Sequence, residues 1–557
     1  MTLAPVTTTW VKRPYTTTGQ DHLAARTVNE RIYATLMPGV TNVTDRARYL
    51  SFYPWLLRTV ETRGLSTSAE DVRVLLRRAE CLLTLVSVVH AADAGDDDGR
   101  KHDDGLVGRN TLTAVARRAI DGERVRLSDY AHDRTAGEGR YFKNKDGGLG
   151  QYYFGPMNDL GILQRDLGSG VLFGYTKDGL LLAEALAESV NGGAFFDALA
   201  ADEFGVDTLR ALAPFCACQC SEASSERASL RDRLLPATAD AALALDARRR
   251  STLLLWLAMA QERSTTGETL DEAVFRAACY TGALVPGTAW QVPAPLAETL
   301  AGWRSYQRGE LLSVAAQALL WLTATTLGLN LGGVARNAGS LVDAVCDALG
   351  PAVAEFPATM GETMAQAGAS LPHLASWDDD GHEQRLVFQI LNEARGEAPS
   401  PADRVAVANS VLRLLLALVC RPAQGAGYDS GLNISAAYLA DYSVNLRALD
   451  AAATNEWQSL RTDRWLRWLV ERWAVQQHLT VALRKLRAQR NDTFRFRPQD
   501  EGLVYAGWTP TLTPTYSSPR FRQTMQMLHD IGLVKPGNDG GFVPTEDGQA
   551  ALGVLRG

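Results

Sequence analysis

Near the C-terminal end the chain reads Ile531-Gly532-Leu533-Val534, a glycine-rich stretch to Phe542, then Pro544-Thr545-Glu546-Asp547-Gly548 and a last helical segment. An earlier stretch has the same order. Leu160-Gly161-Ile162-Leu163 leads through polar, glycine-bearing residues to Phe173, then Tyr175-Thr176-Lys177-Asp178-Gly179 and a helix to about Val190. Each copy reads as helix, glycine exit, strand, tight hairpin, strand, helix. Glycine supplies the left-handed conformation that ends a helix, and glycines in the hairpin permit the turn. Threonine before Lys/Glu-Asp-Gly caps the next helix, with acidic residues at its positive end. Ser518-Pro519 reads as the cap and first turn of the helix that ends near Asp530.

These two segments, roughly Arg140 to Val190 and Tyr505 to Gly557, resemble winged-helix domains, the helix-turn-helix variant with a β-hairpin wing. The resemblance covers about a fifth of the chain and is closer in the C-terminal copy. The first copy has to draw its leading helices from before the insertion-rich stretch Asp93 to Arg140. Winged helices bind DNA or proteins, so the resemblance implies one of these roles. As a whole the chain is similar to large bacterial proteins associated with DNA-defence gene clusters, a likeness that names no family and transfers no residue.

The remainder reads as helix. Leucine and valine recur at helical spacing in Glu70 to His90, and Ser251 to Ala260, Leu311 to Leu329, Val405 to Cys420 and Glu456 to Arg490 are the clearest helices further on. Thr44-Asp45 starts a helix carrying Tyr49, Phe52, Tyr53 and Trp55, expected as an aromatic core cluster, with Pro54 kinking or ending it. Leu311 to Ala335 holds no charge and is long enough to cross a bilayer, but its polar residues and Gly332-Gly333 favour a buried central helix. The expected fold is mainly α: a large helical scaffold with two small winged-helix-like (α+β) segments. The expected divisions are a helical region over 1–135, winged-helix-like segments over 136–192 and 501–557, and a central helical domain over 193–500. A chain of 557 residues exceeds what one core supports.

Composition is that of a globular protein, 46% hydrophobic and 21% charged. Abundant alanine, leucine and arginine with little lysine fits a GC-rich bacterial genome. The formal net charge is −7, so nucleic-acid contact requires a local basic patch. Such a patch exists: Arg461 to Arg497 has ten Arg/Lys against three Asp/Glu, whereas Ser340 to Ser400 has ten acidic residues against Arg385 and Arg395. Seven cysteines, an odd count, fit a reducing cytoplasm. Met1 to Trp10 lacks a secretory pattern, and a cytoplasmic protein without a membrane segment is expected.

No phosphate loop, nucleophile elbow or zinc-protease helix occurs, so no catalytic residue is assigned and no cofactor or metal is expected. No two of the eight histidines have helical ligand spacing. Cys216, Cys218 and Cys220 lack the spacing and second pair of a structural zinc site, and read as packed thiols. The acidic clusters Asp93 to Asp104 and Asp378 to Asp380 read as solvated loops; as metal sites they would make a nuclease conceivable, with Lys101 or His102 beside the first. Tyr141 to Gly148 places Lys143 and Lys145 among glycines, suited either to phosphate approach or to a mobile loop.

The strongest lead is a basic tract. Arg484, Lys485, Arg487 and Arg490 end a helix, and in Phe494-Arg495-Phe496-Arg497 alternation sets both arginines on the face opposite the phenylalanines. The expectation is a non-catalytic, DNA-associated subunit or scaffold with protein partners, binding nucleic acid through these residues and the C-terminal module. The alternatives are a protein-interaction adaptor without DNA contact and a metal-dependent nuclease.

Overall fold

The computed structural model describes residues 21–95, 102, 104–131, 144–165, 172–221, 224–236, 244–396, 398–421, 434, 436–440, 442–489, 492–507, 512–537 and 539–555. Helix makes up 66% and strand 6%, in sheets of two or three strands, so the chain is mainly α. The backbone divides into two compact units, each assembled from separated stretches. One holds 1–33, 276–291 and 300–517; the other holds 34–275, 292–299 and 518–557. This division departs from the expected boundaries because strand and helix partners come from distant sequence. The basic tract belongs to the first unit and the C-terminal module to the second.

The first unit is organised on one long helix, Ala297–Asn330, buried almost continuously from Leu300 to Leu327. It is long and apolar enough to cross a membrane by composition, but 89% of its apolar window is buried inside the protein. Burial on all sides is what an interior helix shows. Two neighbouring helices begin with reciprocal caps: Asn337 with Ser340 starts Ala338–Val353, and Ser400 with Asp403 starts Pro401–Cys420. The stretch expected as one helix over Glu456 to Arg490 is three pieces, Thr462–Leu469, a wider π-type turn Val470–Gln476, and Gln477–Gln489. A three-stranded antiparallel sheet places Gly502–Tyr505 between Val334–Ala335 and Phe496–Gln499.

In the second unit the two repeated segments follow the same order of elements and share their threonine capping bonds. Helices Phe154–Asp159 and Phe521–Asp530 end at Gly161 and Gly532, both left-handed at φ +65° and +72°. Short antiparallel hairpins follow, Leu163–Gln164 with Gly174–Tyr175 and Val534–Pro536 with Phe542–Pro544. Thr176 Oγ1 donates to the Gly161 carbonyl and accepts from the Gly179 N–H; Thr545 Oγ1 does the same with Gly532 and Gly548. The expected threonine caps are therefore present. Ser518-Pro519 is not the start of the preceding helix: that helix begins at Phe521, after Arg520 adopts a left-handed turn at φ +54°.

The repeat extends further than these segments. Arg48, Ser51 and Trp55 on helix Arg48–Thr62, with Asp45 just before it, share their spacing with Asp246, Arg249, Thr252 and Trp256 on helix Ala244–Thr265. Both arginines and both hydroxyl residues are fully buried, and so are the tryptophans to within 3%. Pro54 does not end its helix, which runs on to Thr62. Trp55 packs on Phe195 and Phe215, and Trp256 on Phe275 and Phe521. Between helix Ala244–Thr265 and helix Glu272–Thr281, Leu270 exchanges backbone hydrogen bonds with Phe542, adding a third strand position to the C-terminal hairpin. The C-terminal module thus takes its leading elements from residues 244–275, not from 501 onward.

Candidate functional site

One helix, Ser224–Leu234, serves both copies of the repeat. Glu226 near its start pairs with the buried Arg48 at 3.2 Å, and the Leu234 carbonyl near its end accepts from Arg249 Nε at 3.1 Å. From the same helix Arg233 reaches Asp178 at 3.3 Å and Arg231 reaches Asp547 at 2.7 Å. Those aspartates occupy the same position in the two modules. Arg231 also donates to the Ile531 and Gly532 carbonyls, the exit of the preceding helix. Glu226, Arg231 and Arg233, to which the sequence reading gave no role, are here the ties that hold the modules.

The helix before the C-terminal hairpin would be the DNA-reading element of a winged helix. Eight of its ten residues are buried. Asp530 at its end binds Arg46 through two oxygens, 3.0 and 2.9 Å from Nε and Nη2, with both side chains 1% exposed. Gln523 donates to the Asn42 carbonyl. The exposed Arg522 is directed at Asp104 and Asp45, 3.1 and 3.4 Å away. In the other module the corresponding helix exposes Asn158 and Asp159 and carries no cation. The C-terminal hairpin exposes Lys535 and Asp539, and Asp539 is held by Thr269 at 2.5 Å.

The basic tract is not one outward surface. Arg495 is 2% exposed, between the equally buried Phe494 and Phe496, so alternation fails there: residues 492–496 are all interior. Burial lowers the Arg495 pKa, with Tyr505 and Asp492 opposing that shift. Lys485 is half-buried and donates to the Asp21 carbonyl at 2.5 Å. Arg497 is paired with Asp492 at 2.8 Å. Arg484 lies over the Tyr442 ring at 5.2 Å but is exposed, as is Arg487. Arg490 lies outside the described residues.

Lys143, Lys101, Asp96 to Asp98 and Asp103 also lie outside them. Lys145 is exposed, but the glycines beside it do not wait for a phosphate. Gly148 and Leu149 N–H both donate to the fully buried Glu80 carboxyl at 2.8 Å, which Tyr53 also reaches at 2.8 Å. A Cβ on Gly147 would stand 2.6 Å from a Glu80 oxygen. This anion-accepting backbone holds the chain's own carboxyl, which burial raises to about 7 against the lowering effect of those hydrogen bonds.

Among the described residues of the two acidic stretches no group of carboxylates is placed to share a metal ion. Asp93 pairs with Arg210 at 2.9 Å, and Asp378, Asp379 and Asp380 are all exposed. Glu383, next along, is buried against Arg421 and Tyr280. Among the described residues the one group with metal-ligand chemistry is His90, His102, Cys216 and Cys218, brought together from two segments more than a hundred residues apart. Sequence spacing gave no sign of it. Cys220, the third of the expected packed thiols, turns away to Arg48 Nε at 3.2 Å. No family model, curated protein or solved structure matches the chain.

Proposed function

We propose that the chain is a non-catalytic scaffold subunit of a multiprotein complex, with two winged-helix-like modules that frame the protein for partner contact rather than read DNA. The observation that carries this reading is the burial of helix Phe521–Asp530. A major-groove reader must present a helix face with base-contacting and phosphate-contacting side chains. Here that face is consumed by Arg46, Asn42 and the Trp256 cluster. Arg495, Arg497 and Lys485 are likewise committed within their own unit. A cytoplasmic setting accords with seven free cysteines.

The test is direct titration of duplex and single-stranded oligonucleotides by fluorescence anisotropy. No binding is expected near physiological salt, and a salt-sensitive isotherm there would overturn the reading. A second reading, nucleic-acid contact by the first unit, has support from Arg484 and Arg487, exposed three positions apart on one helix. Under that reading Arg484→Glu with Arg487→Glu abolishes any such isotherm. The nuclease reading has no gathered carboxylates among the described residues to support it.

A further inference from the structure

We propose that His90, His102, Cys216 and Cys218 form a structural site for one zinc ion in the second unit. The four ligand atoms all lie within 4.8 Å of one another. Cys216 Sγ is 3.7 Å from His102 Nδ1, and Cys218 Sγ is 3.5 Å from His90 Nδ1. With Zn–S near 2.3 Å and Zn–N near 2.0–2.1 Å, the edges of a tetrahedron come to about 3.3–3.8 Å. The two measured sulfur–nitrogen separations fall on that edge length. Two thiolates and two imidazoles select a borderline-soft cation, and the absence of an oxygen ligand in the set disfavours magnesium and calcium.

The backbone explains how a one-residue cysteine spacing can serve. Cys216 is extended (φ −52°, ψ 139°) at the corner between the turns Ala213–Phe215 and Ala217–Ser221. That corner lets Cys216 and Cys218 approach different histidines. Their ring centroids are 4.8 Å apart and the planes perpendicular, so the rings do not stack into the space between them. His90 comes from the last turns of helix Ala69–Ala94, and His102 from the segment after it.

An outer layer supports the ligands. Gln219 Nε2 lies 3.6 Å from Cys218 Sγ, and Arg46 donates to the His102 carbonyl at 3.3 Å. Three of the four residues are buried and all four positions are filled by protein, the pattern of a structural rather than catalytic zinc. The bound ion would cross-link segments 114 and 128 residues apart. Two thiolates balance its charge. Through Arg46 it would also brace the Asp530 pair and hence the C-terminal module.

Full-length protein purified without metal-affinity resin is expected to carry about one zinc per chain by elemental analysis. Exchange for Co²⁺ should give thiolate-to-metal charge-transfer bands and tetrahedral d–d absorption. Cys216→Ser and His90→Ala should each lower bound zinc about tenfold or more, while Cys346→Ser in the other unit leaves it unchanged. Should the site variants not fold, thiol counting on the native wild-type protein decides, since a chelator should expose two more thiols than the zinc-loaded form shows. Wild-type protein that retains less than about 0.1 zinc after loading and desalting, or a cobalt form without sulfur charge transfer, overturns the proposal. So does equal zinc loss in Cys346→Ser.

Discussion

His478 lies between two backbone groups that fix its protonation. The Arg495 N–H donates to Nε2 at 2.9 Å, which requires a lone pair there, and Nδ1 faces the His22 carbonyl at 3.4 Å, which requires a hydrogen. The ring is therefore neutral, and burial lowers its pKa from 6.5 to about 3. The unfolded chain binds this proton below about pH 6.5 and the folded chain does not, so stability falls as pH drops from 6.5 toward 3. His478 contributes about 1.4 kcal/mol per pH unit in that window. His478→Gln should flatten the acid limb of a denaturation-versus-pH series; an unchanged slope would show that the imidazole titrates in the native state. Asp530→Ala takes the two-oxygen carboxylate partner from the buried Arg46 and should cost about 3–5 kcal/mol in urea unfolding. Neither partnership was legible in the sequence, because His22 and His478, or Arg46 and Asp530, stand more than 450 positions apart. Arg495 was misplaced for a related reason: alternation says that a strand has two faces, not that one of them meets solvent.

The repeated helix–hairpin–helix elements were the most legible part, since their chemistry is local. A threonine three residues before a glycine amide, and a glycine at a helix exit, are signals that neighbouring residues complete among themselves. Gly179 and Gly548 add a constraint that sequence alone does not reveal. A Cβ there would lie 2.3 Å from the Ile162 carbonyl oxygen and 2.1 Å from that of Leu533. Gly179→Ala and Gly548→Ala should each destabilise by about 1–3 kcal/mol, whereas Gly553→Ala, with nothing within 4 Å of the new methyl, should stay within about 0.5 kcal/mol. Equal effects at Gly548 and Gly553 in chemical denaturation would dissolve the argument for close backbone approach. Ser518-Pro519 shows the limit of local signals. The pair has the composition of a helix start, but the left-handed Arg520 delays the helix to Phe521.

At the scale of the whole molecule, helical content and the burial of Ala297–Asn330 followed from hydrophobic patterning, while the partition into two units did not. Leu270 finds Phe542 across an excursion that includes most of the other unit, and nothing local in either residue announces it. The metal-ligand group escaped for the same reason, being two histidines and two cysteines that meet only once the second unit has folded. Charge follows this logic too. A net charge of −7, with Arg495, Lys485 and Arg497 of the basic tract engaged within their own unit, weakens long-range attraction for polyphosphate. The proposed action through protein contact, and not through DNA, is checked by purifying the tagged chain from its native host at physiological salt, with and without nuclease, and quantifying what co-elutes. A protein partner in stoichiometric amount, retained after nuclease and accompanied by no nucleic acid, is the expected result. Nucleic acid that co-elutes with wild-type protein and disappears with Arg484→Glu plus Arg487→Glu would contradict it.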